Sequence, residues 1–206
     1  MKSLVKVLGV ALVLALLVPV IGTAKGQEKK AGNAASDAKA LAVGAKVTLA
    51  AALDKALKAA PGTAIAAELE NEENLLIFTF DILPKLTSEE ITEIHVDAKT
   101  GAVVKAAEET EKEEAEGKEA EAAEGAEEAS IADMQSMAKT AKVTMAAALQ
   151  TALKAAPGTA IAAELENEGG ALIFSFDILP SPSATELKEV HVDAKTGLVI
   201  KTEIEK

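Results

Sequence analysis

Apolar positions along the chain keep two different periods, and the change from one to the other occurs at matching places twice. After Thr48, a residue suited to an N-cap, Leu49, Ala52, Leu53, Ala56 and Leu57 recur at helical spacing. This helix is predicted to stop at Pro61-Gly62, because proline cannot extend the hydrogen-bond ladder and glycine accepts positive φ. From Thr63 the period is two. Ile65, Ala67 and Leu69 alternate with Glu68, Glu70 and Glu72, and then Phe78, Phe80 and Ile82 alternate with Thr79 and Asp81. A third alternating run, Ile91 to Asp97, sets Ile94 and Val96 against Glu93, His95 and Asp97. Asp97-Ala98-Lys99-Thr100-Gly101 supplies hairpin chemistry ahead of a last strand at Ala102 to Lys105. The predicted unit is of the α+β class, one N-terminal helix packed on an antiparallel sheet of about four strands.

The unit is written twice. Residues 45–105 and 141–201 align without a gap at an offset of 96, with 44 identities in 61 positions. A period this long, interrupted by unlike sequence, predicts two tandem copies of a small module rather than a solenoid. The expected organisation is a signal peptide over 1–24, a flexible leader over 25–44, a first repeat over 45–107, an acidic Glu/Ala-rich linker over 108–133 and a second repeat over 134–206. Lys2 and Lys6 precede an apolar run from Leu8 to Ile21 that ends in Gly22-Thr23-Ala24, the layout of a secretory signal peptide. A secreted or periplasmic protein follows, with no membrane attachment after cleavage. Residues 25–44 show no sustained apolar face. Between Ala106 and Ser130 stand eleven Glu and two Lys, a self-repelling spacer that is expected to leave the two copies independent.

Composition removes whole classes of function. The formal charge is −12, and there is no Cys, Trp or Tyr and only four Phe. Such a chain repels phosphate backbones and has little to stack on bases, so nucleic acid is not an expected partner. Without cysteine there is no disulfide, thiol nucleophile or thiolate metal ligand.

The order of helix, Pro-Gly, acidic strand, Phe-x-Phe-Asp strand and closing hairpin is similar to the PepSY domain, the peptidase propeptide and YpeB module. The resemblance rests on Ala59-Ala60-Pro61-Gly62-Thr63, Leu69-Glu70 and Val96-Asp97-Ala98-Lys99-Thr100-Gly101, with Val192-Asp193-Ala194-Lys195-Thr196-Gly197 in the second copy. It implies a helix lying on an antiparallel sheet, an extracytoplasmic location, and an interaction or inhibitory role toward peptidases rather than catalysis. The sequence holds no His-Glu-x-x-His, so a propeptide role in cis to a zinc peptidase is not expected.

Three sets of residues are candidates for chemistry. His95 with Asp97, and His191 with Asp193, stand at i and i+2 on a strand and could share a metal, although a solvent-facing pair beside a turn, with the Asp accepting turn N–H groups, is the simpler account. Glu68, Glu70 and Glu72, with Glu164, Glu166 and Glu168, align three carboxylates on one strand face, where a hard cation could collect or where the face is simply wet. The third set is apolar. Leu75, Ile77 and Leu83, with Ile173 and Leu179, fall on the strand side opposite the phenylalanines, and Val104 and Ile200 are grouped with them. One helix covers one face, so these residues are expected either to form a partner-binding patch or to be buried between the two copies. No nucleophile neighbours His95, and a small module offers no cleft for a carboxylate dyad, so neither an enzyme nor a cofactor is expected. The expected function is an exported, non-catalytic module that binds a protein partner, a peptidase or another envelope protein. The alternative is a divalent-cation or small-ligand binder.

Overall fold

The computed structural model describes residues 34–72, 74–110 and 130–205. The predicted signal peptide, the start of the leader and most of the linker lie outside the described residues. Each repeat contains the expected helix and four strands. In the first these are α2 (Leu49–Ala59), β1 (Thr63–Glu72), β2 (Leu75–Leu83), β3 (Glu90–Asp97) and β4 (Val103–Thr110). In the second they are α4 (Met145–Ala155), β5 (Thr159–Glu168), β6 (Ala171–Leu179), β7 (Leu187–Asp193) and β8 (Val199–Glu205). The Thr48 hydroxyl accepts the Ala51 N–H at 3.2 Å, and α2 buries Leu49, Ala52, Leu53 and Ala56 against the sheet. Gly101 has φ 73° in the β3–β4 turn, and its N–H donates to the Asp97 carbonyl.

Gly62 corrects one expectation. It is not among the described glycines of positive φ. Its role is close approach: a Cβ there would run into the Leu83 carbonyl oxygen and lie 2.7 Å from Ile82 Cγ2. Gly158 meets Leu179 and Ile178 in the same way.

Two further helices were not expected. Within the predicted leader, α1 (Ala34–Gly44) places Ala38 and Ala42 in the core, and α3 (Ile131–Thr140) begins inside the predicted linker and buries Ile131, Met134 and Ala138. α1 escaped notice because its buried face is built of alanine, whose small side chain lets the helix lie close to the sheet without an obvious apolar stripe. α3 did carry a signal. Ser130 and Asp133 form a reciprocal capping box, the Asp133 N–H donating to Ser130 Oγ at 3.2 Å and the Ser130 N–H to Asp133 Oδ2 at 3.2 Å.

The larger correction concerns independence. The strands form one eight-stranded sheet in the order β4-β3-β2-β1-β5-β6-β7-β8, not two separate four-stranded sheets. β1 and β5 pair antiparallel, Ala66 with Glu164, Ala67 with Ala163 and Glu68 with Ala162. Ala163 is the equivalent of Ala67 in the second copy, so a pseudo-two-fold axis passes through that pair. Edge pairing satisfies backbone groups that each module would otherwise leave bare. Helices stitch the junction as well: α1 packs on β1, β5 and β6, α3 packs on β5 and β1, and α2 meets α4. The Gln135 amide of α3 donates to the Ser88 carbonyl in the first repeat. One core runs through both copies.

Candidate functional site

All four described helices pack into that core, against the side of the sheet that carries Phe78, Phe80, Ile94 and Val96 and their counterparts Phe174, Phe176, Val190 and Val192. Strand alternation sends the other residues to the open face. The register orders them in two rows that cross the whole sheet. One row reads Lys105, His95, Thr79, Glu68, Ala162, Asp177, Glu189, Glu203. The other reads Ala107, Glu93, Asp81, Ala66, Glu164, Ser175, His191, Lys201. The pseudo-two-fold axis exchanges the rows.

Several of these polar residues are well shielded although none of the described helices covers them. Thr79, Asp81, Glu93, His95 and His191 are all buried, His95 at 4% and His191 at 2% exposure, which corrects the expectation of solvent-facing histidines. Polar partners make the burial of the histidines and Glu93 tolerable. His95 Nε2 lies 2.7 Å from Glu93 Oε1 and its Nδ1 lies 3.0 Å from Glu72 Oε2, while Lys105 Nζ reaches Glu93 Oε1 at 2.8 Å. Burial raises the Glu93 carboxyl, but the Lys105 ammonium and His95 outweigh it and hold its pKa below the ordinary value. In the second copy, His191 Nδ1 lies 2.7 Å from Glu168 Oε2, and Lys201 reaches Glu168 at 3.3 Å and Glu203 at 2.5 Å.

At the centre of the sheet carboxylates stand close to one another. Burial, reinforced by Glu70, Asp177 and Glu164, pushes Glu68 up to about 8, and burial with Glu166 pushes Glu164 up to about 7. Glu68 Oε2 is buried without a hydrogen-bond partner. Glu70 accepts from the Thr79 hydroxyl at 2.5 Å.

The sequence candidates divide accordingly. Glu68, Glu70, Glu72, Glu164, Glu166, Glu168, His95 and His191 do share the open face, where Glu72 meets His95 and Glu168 meets His191 within each copy. Asp97 and Asp193 are apart from the histidines in role: Asp97 Oδ1 accepts the N–H groups of Lys99 and Thr100 at 2.8 and 2.7 Å, Asp193 does the same for Lys195 and Thr196, and turn hydrogen bonds hold both carboxyls below the ordinary pKa. Among the apolar candidates, Leu83 and Leu179 are not on the open face but in the helix-side core. The β1 and β5 register slips opposite Ile82 and Ile178 put the strand ends out of step with alternation. Ile77 and Ile173 are buried outside that core, at 1% and 0% exposure. Leu75, Val104 and Ile200 remain exposed. Val103 is exposed too, because the β4 bulge between His95 and Val96 relaxes strict alternation there. Glu72, Leu75, Ile77, His95, Val104 and Lys105 line a hollow of about 330 Å³ at the outer part of this face. The exposed apolar candidates Leu75, Val104 and Ile200 thus accompany a face on which carboxylates are the most frequent polar group. Asp81, Asp177, Glu189, Glu203 and the two lysines were not singled out from sequence, although Glu93 and Glu189 share a strand face with the histidines.

The family model described as Peptidase propeptide and YPEB domain, PepSY, matches residues 46–107 and 142–203. No curated protein matches the chain. Among solved structures, a lipoprotein candidate from Clostridium difficile 630 is similar at 19% identity and TM-score 0.42, covering 78% of this chain and 95% of that one. The Bacillus megaterium YpeB C-terminal domain is similar at 13% identity and TM-score 0.27, covering 79% of this chain and 67% of that one. Among the described residues, no helix is long and apolar enough to cross a membrane.

Proposed function

The chain belongs to the PepSY family, in two tandem copies, and from that premise we propose that it is an exported, non-catalytic interaction module that binds an extracytoplasmic peptidase or another envelope protein through the open face of its sheet. The observation that carries this reading is the pair of carboxylate-rich rows crossing an eight-stranded face that, among the described residues, no helix covers. An anionic platform this broad favours a partner segment rich in Lys and Arg. Electrostatic attraction speeds the encounter and makes affinity fall with salt. The pseudo-two-fold arrangement offers such a segment the same chemistry in either direction.

The test is a comparison of captures from an envelope fraction by the wild-type chain and by Glu70→Lys/Glu166→Lys, whose circular dichroism establishes that it is folded. A protein retained by the wild type, released by moderate salt and lost with the double variant is the expected outcome, together with inhibition if the partner is a peptidase. Equal retention by both chains would reject the open face as the binding surface.

A further inference from the structure

Apart from the exchange of Thr79 for Ser175, the two open-face rows break their pseudo-symmetry at one place: Glu203 stands where the first copy has Ala107. The consequences spread to its neighbours. In the first copy Glu93 is met on both sides, by His95 Nε2 at 2.7 Å and by Lys105 Nζ at 2.8 Å. In the second, Lys201 is drawn instead to Glu203 and Glu168. His191 Nδ1 lies 2.7 Å from Glu168 Oε2, on the edge of the ring away from Nε2. That Nε2 is buried without a hydrogen-bond partner, yet lies 2.9 Å from Glu189 Oε1. A buried ring nitrogen and a carboxylate oxygen brought this close without a hydrogen bond are a ready pair of donors for a shared cation. Nε2 and one oxygen each from Glu189 and Glu203 lie within 4.8 Å of one another.

We propose that Glu189, His191 and Glu203 bind a zinc ion, with Glu168 orienting the imidazole and water completing the coordination. One imidazole and two carboxylates suit zinc. A carboxylate on the far ring nitrogen is the usual support of a ligating histidine. Donors around a tetrahedral ion sit roughly 3.4 Å apart, and the side chains of Glu189 and Glu203, at 23% and 44% exposure, have room to turn to that spacing. On binding, Lys201 yields Glu203 and keeps Glu168. The first copy has the histidine and its carboxylate support but Ala107 in place of the third ligand, so it serves as an internal control.

Zinc chloride titrated calorimetrically into the chelator-treated full chain is expected to saturate at one ion per chain. Affinity should fall at least tenfold in Glu203→Gln and in His191→Gln and stay unchanged in His95→Gln. The chain has two histidines, so imidazole NMR separates them: zinc should shift His191 and leave His95 in place. Glu203 is an exposed residue, and circular dichroism establishes that its variant keeps the fold. Absence of saturable binding with zinc in excess would overturn the proposal. Undiminished binding by Glu203→Gln would overturn it too, and would assign the ion to other carboxylates such as those of residues 108–133.

Discussion

Glu68 and Glu164 are the residues at which the fold works against its own chemistry. The pKa of Glu68, about 8, and that of Glu164, about 7, lie above the ordinary 4.5, so the folded chain holds protons that the unfolded chain has released. Stability contributed by these two groups is present below about 4.5 and is lost as pH rises through 7 and 8. Glu93, Asp97 and Asp193, with lowered pKa values, act in the opposite sense, and their contribution is lost as pH falls below the usual carboxylate range. The melting temperature is therefore expected to decline between pH 5.5 and 8.5. In Glu68→Gln/Glu164→Gln, which cannot ionise at either position, the decline should be much shallower. Melts are best followed by circular dichroism, since the chain lacks Trp and Tyr. A double variant with the wild-type pH slope would show that these carboxyls ionise freely in the folded chain.

At the level of elements, the step from helix to first strand depends on Gly62 and Gly158 for space rather than for a left-handed backbone. The atom that a new Cβ would strike is the Leu83 carbonyl oxygen, fixed in the sheet, so relief requires the strands to separate. Gly62→Ala is expected to cost about 1–3 kcal/mol, the usual range for overpacking a close contact, and Gly158→Ala a similar amount. Urea titration would read this as a lower midpoint at unchanged slope. An alanine variant as stable as the wild type would mean that α2 and α4 can ride outward freely. Pro61-Gly62 was legible as a break, but a sequence shows that a glycine is present without showing which atoms approach it.

For the whole molecule, the pairing of β1 with β5 turns two repeats into one cooperative body. Phe78 is fully buried in a core that both copies share, so Phe78→Ala is expected to cost about 3–5 kcal/mol. Because α1, α3 and the central strands each touch both repeats, the loss should appear as one calorimetric transition, shifted to lower temperature, in which both copies melt together. Two transitions, with the second copy unmoved, would instead show the central edge to be a weak joint.

Sequence by itself determined the module: the change of period at Pro61-Gly62, the phenylalanine face, the Asp97 hairpin and the duplication follow from local geometry, which neighbouring side chains and backbone dihedrals enforce. It also determined that the glutamates and histidines share a face, because alternation in a strand is strict over such runs. Only the tertiary structure decided which edges meet. Backbone N–H and C=O groups are the same in every residue, so nothing in the side-chain pattern of β1 distinguishes an edge left bare from one paired with β5. That choice sets Glu68 and Glu164 beside the axis, where burial first and neighbouring carboxylates second raise their pKa values. The site around His191 was hidden for a similar reason, since Glu203 gains its meaning from Glu189 on the neighbouring strand, fourteen positions away in the chain.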